Sequence, residues 1–293
     1  MAADDALRPR RSVLYMPGAN ERALEKAKDI PADALILDLE DAVAPDAKPE
    51  ARERVCAAVT GGGYGSRELI IRANGLGTEW HDEDLAAAAK AGPDAVLVPK
   101  VNSAAEVHAI EAALAAAGAP EHTKVWAMLE TPVAVLHAEE ICSASERLTV
   151  LVMGTNDLVK ELHAVRVADR HPLLTSLKLC LLGARAAGKV ILDGVYNDIK
   201  DEAGFLAECV QGREMGFDGK TLIHPSQVEP CNGVFAPDDD AVDLARRTIA
   251  AFEEAQAEGR GVVTLDGRMI ENLHVEEARR VLAITDAIAA LGS

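Results

Sequence analysis

Aromatic residues make up only 3% of this 293-residue chain, too few to build a platform on which nucleic-acid bases would stack. Positive charge is scarce as well. The 30 lysines and arginines face 48 acids, and the formal net charge of −18 repels phosphate backbones and anionic membrane surfaces. No nucleic-acid partner is expected. No run approaches about 18 consecutive apolar residues, so no membrane span is expected either. The start, MAADDALRPRR, carries acids and arginines where a secretion signal needs an apolar stretch. The five cysteines (Cys56, Cys142, Cys180, Cys209, Cys231) are scattered, with no C-x-x-C pair. They read as reduced thiols of a cytoplasmic protein and not as a disulfide or zinc framework.

What the chain does have is a repeated pattern. Eight short runs rich in β-branched and other apolar residues recur: SVLYMP (12–17), ALILDLE (34–40), ELIIRANG (68–75), AVLVPKV (95–101), KVWAMLE (124–130), LTVLVMG (148–154), KVILDGVY (189–196) and GKTLIHP (219–225). Alanine-rich segments with helical spacing separate them. Eight strand–helix units in about 250 residues predict an α/β fold, a (β/α)8 TIM barrel. The barrel is assigned to residues 1–235. Residues 236–293 fall outside the eight units: a helix over DDDAVDLARRTIAAFEEAQAEG, a small hairpin or extended arm around Asp266-Gly267 and a last helix from about Val275. This tail reads as a lid over a barrel mouth or an oligomerisation arm. The tract GGGYG (61–65) neither follows a strand nor opens a helix, so it reads as a flexible turn and not a phosphate cradle.

A barrel of this kind carries its chemistry at the carboxyl ends of its strands. Arg72, Glu130 and Asp157 stand at three of those ends. Glu130 and Asp157 follow consecutive strands, about 4.8 Å apart, so the two carboxylates can converge on one small cation. With no histidine or cysteine nearby, Mg²⁺ or Mn²⁺ suits them better than zinc; the alternative is that each pairs with a basic neighbour. Arg72 offers a bidentate grip on a substrate carboxylate. Its alternative is a salt bridge to Asp38 or Glu40, and the two readings are compatible if the acids orient the arginine. Lys100 is assigned an electrostatic role, because the surrounding acids would keep it charged and unsuited to Schiff-base chemistry. Lys220 is read as a third cation at the same face. His224 reads as a positioned or packing histidine more readily than as a general base; His81, His108, His122, His137 and His274 are given packing or surface roles. The long segment after Asp157 (158–175) is read as a cover for the site or a docking element.

In order along the chain, LYMPGAN, LDLEDAVAPDAK, IRANG, VPKV, the glutamate of MLETP, GTNDL and IHPSQV resemble the citrate lyase β-subunit-like branch of the HpcH/HpaI aldolase superfamily. That branch includes malyl-CoA and β-methylmalyl-CoA lyases and malyl-CoA thioesterases. The resemblance covers roughly residues 10–285. It implies that Arg72 binds an α-keto acid and that Glu130 and Asp157 hold Mg²⁺. It further implies that Tyr15, Asn20 and Lys26, with Ile223 and His224, hold the CoA moiety. Lys100 and Asn156 are added as substrate-binding candidates, and Asp38 and Glu40 join Arg72 as candidate catalytic residues. The partners implied are a CoA thioester, a small α-keto acid, and further copies of the chain in a homotrimer or homohexamer.

One departure is informative. The family's tail motif resembles G-K/R-M-I-D, whose aspartate enters a neighbour's site, whereas this chain has Gly267-Arg268-Met269-Ile270-Glu271. The extra methylene moves the carboxylate by about one C–C bond, enough to affect proton transfer. The leading expectation is Mg²⁺-dependent retro-Claisen cleavage of a malyl-CoA-like 3-hydroxyacyl-CoA to acetyl-CoA or propionyl-CoA and glyoxylate. The alternatives are hydrolysis of malyl-CoA to malate and CoA, and action on citryl groups carried by a partner protein in a citrate lyase complex.

Overall fold

Apolar runs buried on both faces form central parallel strands, and all eight runs do so here. The structure, a computed structural model, describes residues 7–291, so most of the amino-terminal stretch discussed above lies outside the described residues. The strands are β1 (Ser12–Pro17), β2 (Ala34–Asp38), β3 (Glu68–Arg72), β4 (Ala95–Val98), β5 (Lys124–Leu129), β6 (Leu148–Met153), β7 (Val190–Asp193) and β8 (Gly219–Leu222). They pair in parallel in sequence order, and β8 returns to β1, closing the barrel. Arg10–Phe235 form one compact unit.

The two-residue period of each strand divides the core. Val13, Ile36, Ile70, Leu97, Trp126 and Val152 belong to the cluster inside the barrel, while Leu14, Leu35, Ile71 and Val96 pack outward under the helices. Glu68 opens β3 on the inward parity. It meets Arg10, whose Nε and Nη2 donate to its carboxylate at 2.6 and 2.8 Å. The same guanidinium lies 5.5 Å from the Trp126 ring centroid. The lower end of the barrel is thus stoppered by an ion pair stacked on an aromatic ring.

Several sequence expectations need correction. Strand β6 ends at Met153, and Asp157 lies in the first turn of the following helix, Thr155–Glu161, instead of at a strand end. Lys220 does not face the mouth. It points outward from β8 and is fully buried, with its Nζ 3.0 Å from Asp193 and 2.6 Å from Glu208. The segment after Asp157 is helical to Glu161, and its later part is fastened by Arg170, whose Nη1 donates to both oxygens of Asp193 at 2.8 Å. The glycine tract is not loose. Tyr64 is buried within it and donates its hydroxyl proton to the Leu24 carbonyl at 3.1 Å, while Gly62, Gly63 and Gly65 supply the left-handed turns around it. His81 is not partnerless, since its Nδ1 lies 2.7 Å from the Asn74 carbonyl.

The chain from Ala236 onward belongs to a second compact unit. Its helices Asp239–Ala257 and Asn272–Leu291 pack on each other. Phe252, Ile270 and Val275 form a small core of that unit. The hairpin β9 (Val263–Leu265) and β10 (Arg268–Ile270) turns at Asp266 (φ 50°) and Gly267 (φ 75°), both left-handed as a two-residue hairpin turn requires. Asp238 caps the first of these helices by accepting from the Ala241 amide at 2.8 Å.

Replacing Arg10 by methionine keeps apolar bulk over Trp126 but removes the two charged hydrogen bonds that Arg10 gives the buried Glu68 carboxylate. A loss of about 3–5 kcal/mol in urea unfolding is expected. A loss under about 1 kcal/mol would mean that the stopper contributes little.

Candidate active site

Asp38 ends β2 and Arg72 ends β3, and the two are register partners on inward-facing positions. Topology therefore brings them together. Arg72 Nε and Nη2 donate to the two oxygens of Asp38 at 2.6 and 2.5 Å, and both residues are buried. Asp38 also accepts the backbone amides of Glu40 (2.8 Å) and Ala42 (3.1 Å) from its own turn. Each of its oxygens is thus engaged by one guanidinium nitrogen and one peptide N–H. Arg72 Nη1 meets Glu40 at 2.8 Å and Asp41 at 3.5 Å. The guanidinium lies 4.8 Å from the Tyr15 ring centroid. Burial works against its charge, but Asp38, Tyr15 and Glu40 outweigh that and hold its pKa well above the ordinary arginine value. The salt bridge and the substrate-grip reading of Arg72 coexist in geometry, because the guanidinium still lines the cavity.

Glu130 follows β5 directly and is only 2% exposed. One oxygen accepts the Lys100 amide at 2.9 Å. The other lies against Gly154, where an added Cβ would fall 2.2 Å from it, so the glycine is required for the carboxylate to sit there. Burial above all, with Asp157 and Glu40 adding repulsion, pushes the Glu130 carboxyl up to about 8. Asp157 lies closer to solvent, 3.5 Å from Lys100 Nζ. Lys100 has left-handed backbone (φ 54°), which turns its amide to Glu130 while its ammonium lies between Asp157 and, at 4.0 Å, Glu40. Partial burial opposes its charge, but Glu130, Asp157 and Glu40 raise its pKa, and the ammonium stays protonated. Glu40 itself is pushed up to about 7 by burial, less the effect of Arg72, with Asp41 and Asp38 adding to the rise.

Tyr15, Asp38, Arg72, Glu130, Asn156, Asp157 and Ile223 line one cavity of about 380 Å³ at the strand carboxyl ends. Glu40 and Lys100 touch its charged groups. Asn156 turns its amide toward Asn197 and accepts from Arg166 at 2.8 Å. Tyr15, implied by the resemblance to hold CoA, lines the cavity with its ring against Arg72. Asn20 caps the helix Glu21–Lys26 by accepting from Ala23 at 3.1 Å, and Lys26 is exposed at that helix's end. His224 is exposed, and its ring accepts the Ser226 amide at 3.2 Å, a cap and not a poised base. Glu271 lies in the second unit, just after β10, its amide donating to His274 at 3.2 Å. Sequence reasoning passed over Asp41 and Thr155 in the cavity wall, and the partners of Lys48 and Asn74. The last two sat inside quoted motifs, but nothing in the sequence said what they touch.

No group of three or more metal-ligating His, Cys, Asp or Glu side chains occurs among the described residues. The donor set is two carboxylates, Glu130, whose pKa burial above all has raised, and the more exposed Asp157. Oxygen-only ligands with space for waters fit Mg²⁺ or Mn²⁺, which take one or two protein carboxylates. A divalent cation there would relieve the repulsion that raises Glu130.

An arginine fixed by acids stands near two carboxylates at the carboxyl ends of the strands of a (β/α)8 barrel, the end at which such barrels carry their chemistry. Residues 11–225 match the HpcH/HpaI aldolase/citrate lyase family, and the chain belongs to it. It is 53% identical over 285 residues to a (3S)-malyl-CoA thioesterase of Cereibacter sphaeroides (strain ATCC 17025 / ATH 2.4.3), covering 97% of this chain and 98% of that one. It is 40% identical to the citrate lyase subunit beta of Escherichia coli K12, covering 94% and 93%. Among solved structures it resembles CitE from Mycobacterium tuberculosis in complex with magnesium, acetoacetate and coenzyme A. That likeness has a TM-score of 0.77 at 30% identity and covers 94% of this chain and 97% of that one.

Glu130→Gln keeps the bond to the Lys100 amide and removes the charge. Because the folded carboxyl titrates near 8 against 4.5 for the free group, the folded protein retains a proton that the unfolded chain releases. Stability conferred by that proton is present at low pH and is lost as pH rises toward 8. In EDTA, the glutamine variant is expected to gain on the parent from pH 5 to pH 8.5, reaching about 1–2 kcal/mol. Added Mg²⁺ should stabilise only the parent. Parallel thermal melts at all pH values and both metal conditions would refute this account of Glu130.

Proposed function

We propose that this chain is an Mg²⁺-dependent thioesterase that hydrolyses a malyl-CoA-like thioester to malate and CoA. The observation that carries the reading is 53% identity, end to end, to proteins named (3S)-malyl-CoA thioesterase, in a chain that keeps Arg72, Glu130 and Asp157 at one cavity. This places hydrolysis ahead of the C–C cleavage expected from the sequence.

On this reading Asp38 keeps Nε and Nη2 of Arg72, and the malyl carboxylate binds at Nη1, in exchange for Glu40 and Asp41. Glu130 and Asp157 would hold Mg²⁺, which supplies polarisation of the substrate oxygens and neutralises charge developing on them. Lys100 adds fixed positive charge at the same edge. Ile223, in the cavity wall, and Tyr15 contact the acyl end; Asn20, Lys26 and His224 would carry the more distant parts of CoA. Glu40 is the base best matched to neutral pH. It takes the proton from the water that attacks the thioester carbon; the C–S bond then breaks, and the departing CoA sulfur takes a proton. Glu271 is the candidate donor, delivered from a neighbouring subunit of a homotrimer or homohexamer. Met269 (66% exposed) and Leu273 (56%) flank it as apolar surface suited to such an association.

C–C cleavage is the second reading, favoured by the same grip, because Arg72 and a divalent cation would hold glyoxylate as well as malate. With (S)-malyl-CoA and Mg²⁺, free thiol without glyoxylate is the expected outcome. Glyoxylate without free thiol would replace hydrolysis by cleavage.

A base must be deprotonated to act. Activity is therefore expected above the Glu40 pKa and to fall as pH drops through about 7, under the opposed influence of Arg72 and Lys100 and of Asp38 and Asp41. Glu40→Gln should lower kcat by about 10²–10⁴ and remove that limb of the profile. An unchanged acidic limb in the variant would acquit Glu40 as the base.

A further inference from the structure

Lys48 takes no part in the chemistry above, yet it is only 5% exposed. A buried ammonium is costly unless its donors are met. Its partners are unusual in that none is an acid in contact. Nζ donates to the Leu39 carbonyl at 2.9 Å and to the Glu40 carbonyl at 2.8 Å, and it lies 4.9 Å from the Trp80 ring centroid. Both carbonyls belong to the turn that follows β2. The amides of that same turn, at Glu40 and Ala42, point the other way and bond Asp38. The turn is therefore held from both sides, its carbonyls on Lys48 and its amides on the carboxylate that orients Arg72.

A second brace meets the first. Asn74 Nδ2 donates to the Leu39 carbonyl at 3.0 Å and to Asp84 at 2.6 Å, and Asp84 also accepts the Asn74 amide at 2.9 Å. Arg52 Nε in turn donates to Asp84 at 2.7 Å. The Leu39 carbonyl thus has two side-chain donors, whereas among the described side chains only Lys48 reaches the Glu40 carbonyl, which otherwise accepts the Val43 amide at 3.2 Å from within the turn. Asn74 fixes the start of the turn; Lys48 is the side chain that ties the Glu40 peptide to the rest of the barrel.

We propose that Lys48 is a positioning residue: clamped on Trp80, its ammonium sets the 38–42 turn so that Asp38 and Glu40 hold Arg72 aimed into the cavity for the carboxylate of a small keto or hydroxy acid. The proposal rests on the reading of Arg72 as the carboxylate grip. A lysine suits the task because one tetrahedral ammonium spans two successive carbonyls and still presents a face to the ring. Methionine would fill the space and bond neither carbonyl. Arginine is planar and too long to seat between them.

Pyruvate serves as the probe acid, titrated calorimetrically into the full-length protein saturated with Mg²⁺. Lys48→Met is expected to weaken pyruvate about tenfold or more with stoichiometry near one. Mg²⁺ affinity measured without pyruvate should change less than about twofold. Trp80→Leu, the milder variant, should weaken pyruvate by about two- to fivefold. In an Arg72→Lys background, Lys48→Met should cost little more, because the group it positions is already altered. Lost stoichiometry with an unchanged Kd, or equal losses in both backgrounds, would overturn the proposal. A ligand-free readout separates it from the functional reading. The Arg72 Nε–H, bonded to Asp38 at 2.6 Å, should give a downfield, slowly exchanging NMR signal that moves toward free arginine in Lys48→Met and in Trp80→Leu. An unmoved signal overturns the positioning role. A moved signal in a protein that binds no pyruvate supports the positioning role and rejects the carboxylate grip.

Discussion

The candidate site depends on one pairing, Asp38 with Arg72 across the seam of β2 and β3. The register of two parallel strands sets it, since the residues are Cα partners on inward positions at the ends of their strands. A shift of one residue in either strand would turn one of the two outward. Burial makes the pair demanding, because an isolated guanidinium here would be prohibitively desolvated. The structure meets that demand with four donors on Asp38 and three acids around Arg72. Asp38 is consequently spent as an orienting group. With both oxygens engaged it has no lone pair well placed for proton transfer, which leaves Glu40 as the nearer base.

The rest of the mouth balances excess negative charge. Asp38, Glu40, Asp41, Glu130 and Asp157 approach one cavity in a chain that is already strongly acidic, and only Arg72 and Lys100 oppose them at contact distance. Burial first, and this crowding second, push the Glu130 carboxyl to about 8 and the Glu40 carboxyl to about 7. A further cation is the kind of ligand such a crowded set of acids would favour.

Fold and site were legible to different depths. The eight strands could be read because parallel barrel strands are buried on both faces and appear as unbroken apolar runs. Arg72 and Glu130 could be placed at the strand ends because they close such runs directly, and the structure brings both to one cavity with Asp157. The failures have a common cause. Lys220 looked like a mouth residue because it sits in a strand near the end of the chain, but strand parity, which a four-residue strand barely defines, sends it outward to Asp193 and Glu208. Asp157 was placed at a strand end because Gly154 was read as the close of the strand and Thr155-Asn156-Asp157 as its tail, whereas the helix starts at Thr155 and Gly154 lies against Glu130. Lys48 was passed over, and His81 was given no named partner, because their partners are backbone carbonyls, which leave no trace in composition. Arg170 was read as part of a cover or docking element, although a guanidinium 23 residues from Asp193 is as readily a fastening as a surface charge.

The balance between hydrolysis and cleavage turns on what this scaffold leaves unfixed. On the proposed reading Arg72 and the two carboxylates receive the acid end of the substrate, and malate, malyl-CoA and glyoxylate all carry a carboxylate beside an oxygen there. Both reactions also need a base near neutrality, which Glu40 can provide for either a water or a 3-hydroxyl. What differs is the site of the second proton: the sulfur in hydrolysis, the enolate carbon in cleavage. These atoms are separated by roughly two bond lengths, so a donor displaced by one C–C bond is matched to one of them better than to the other. On the proposed reading that donor is Glu271, one methylene longer than the aspartate of the resembling motif, and the change of length is what would match it to one atom over the other.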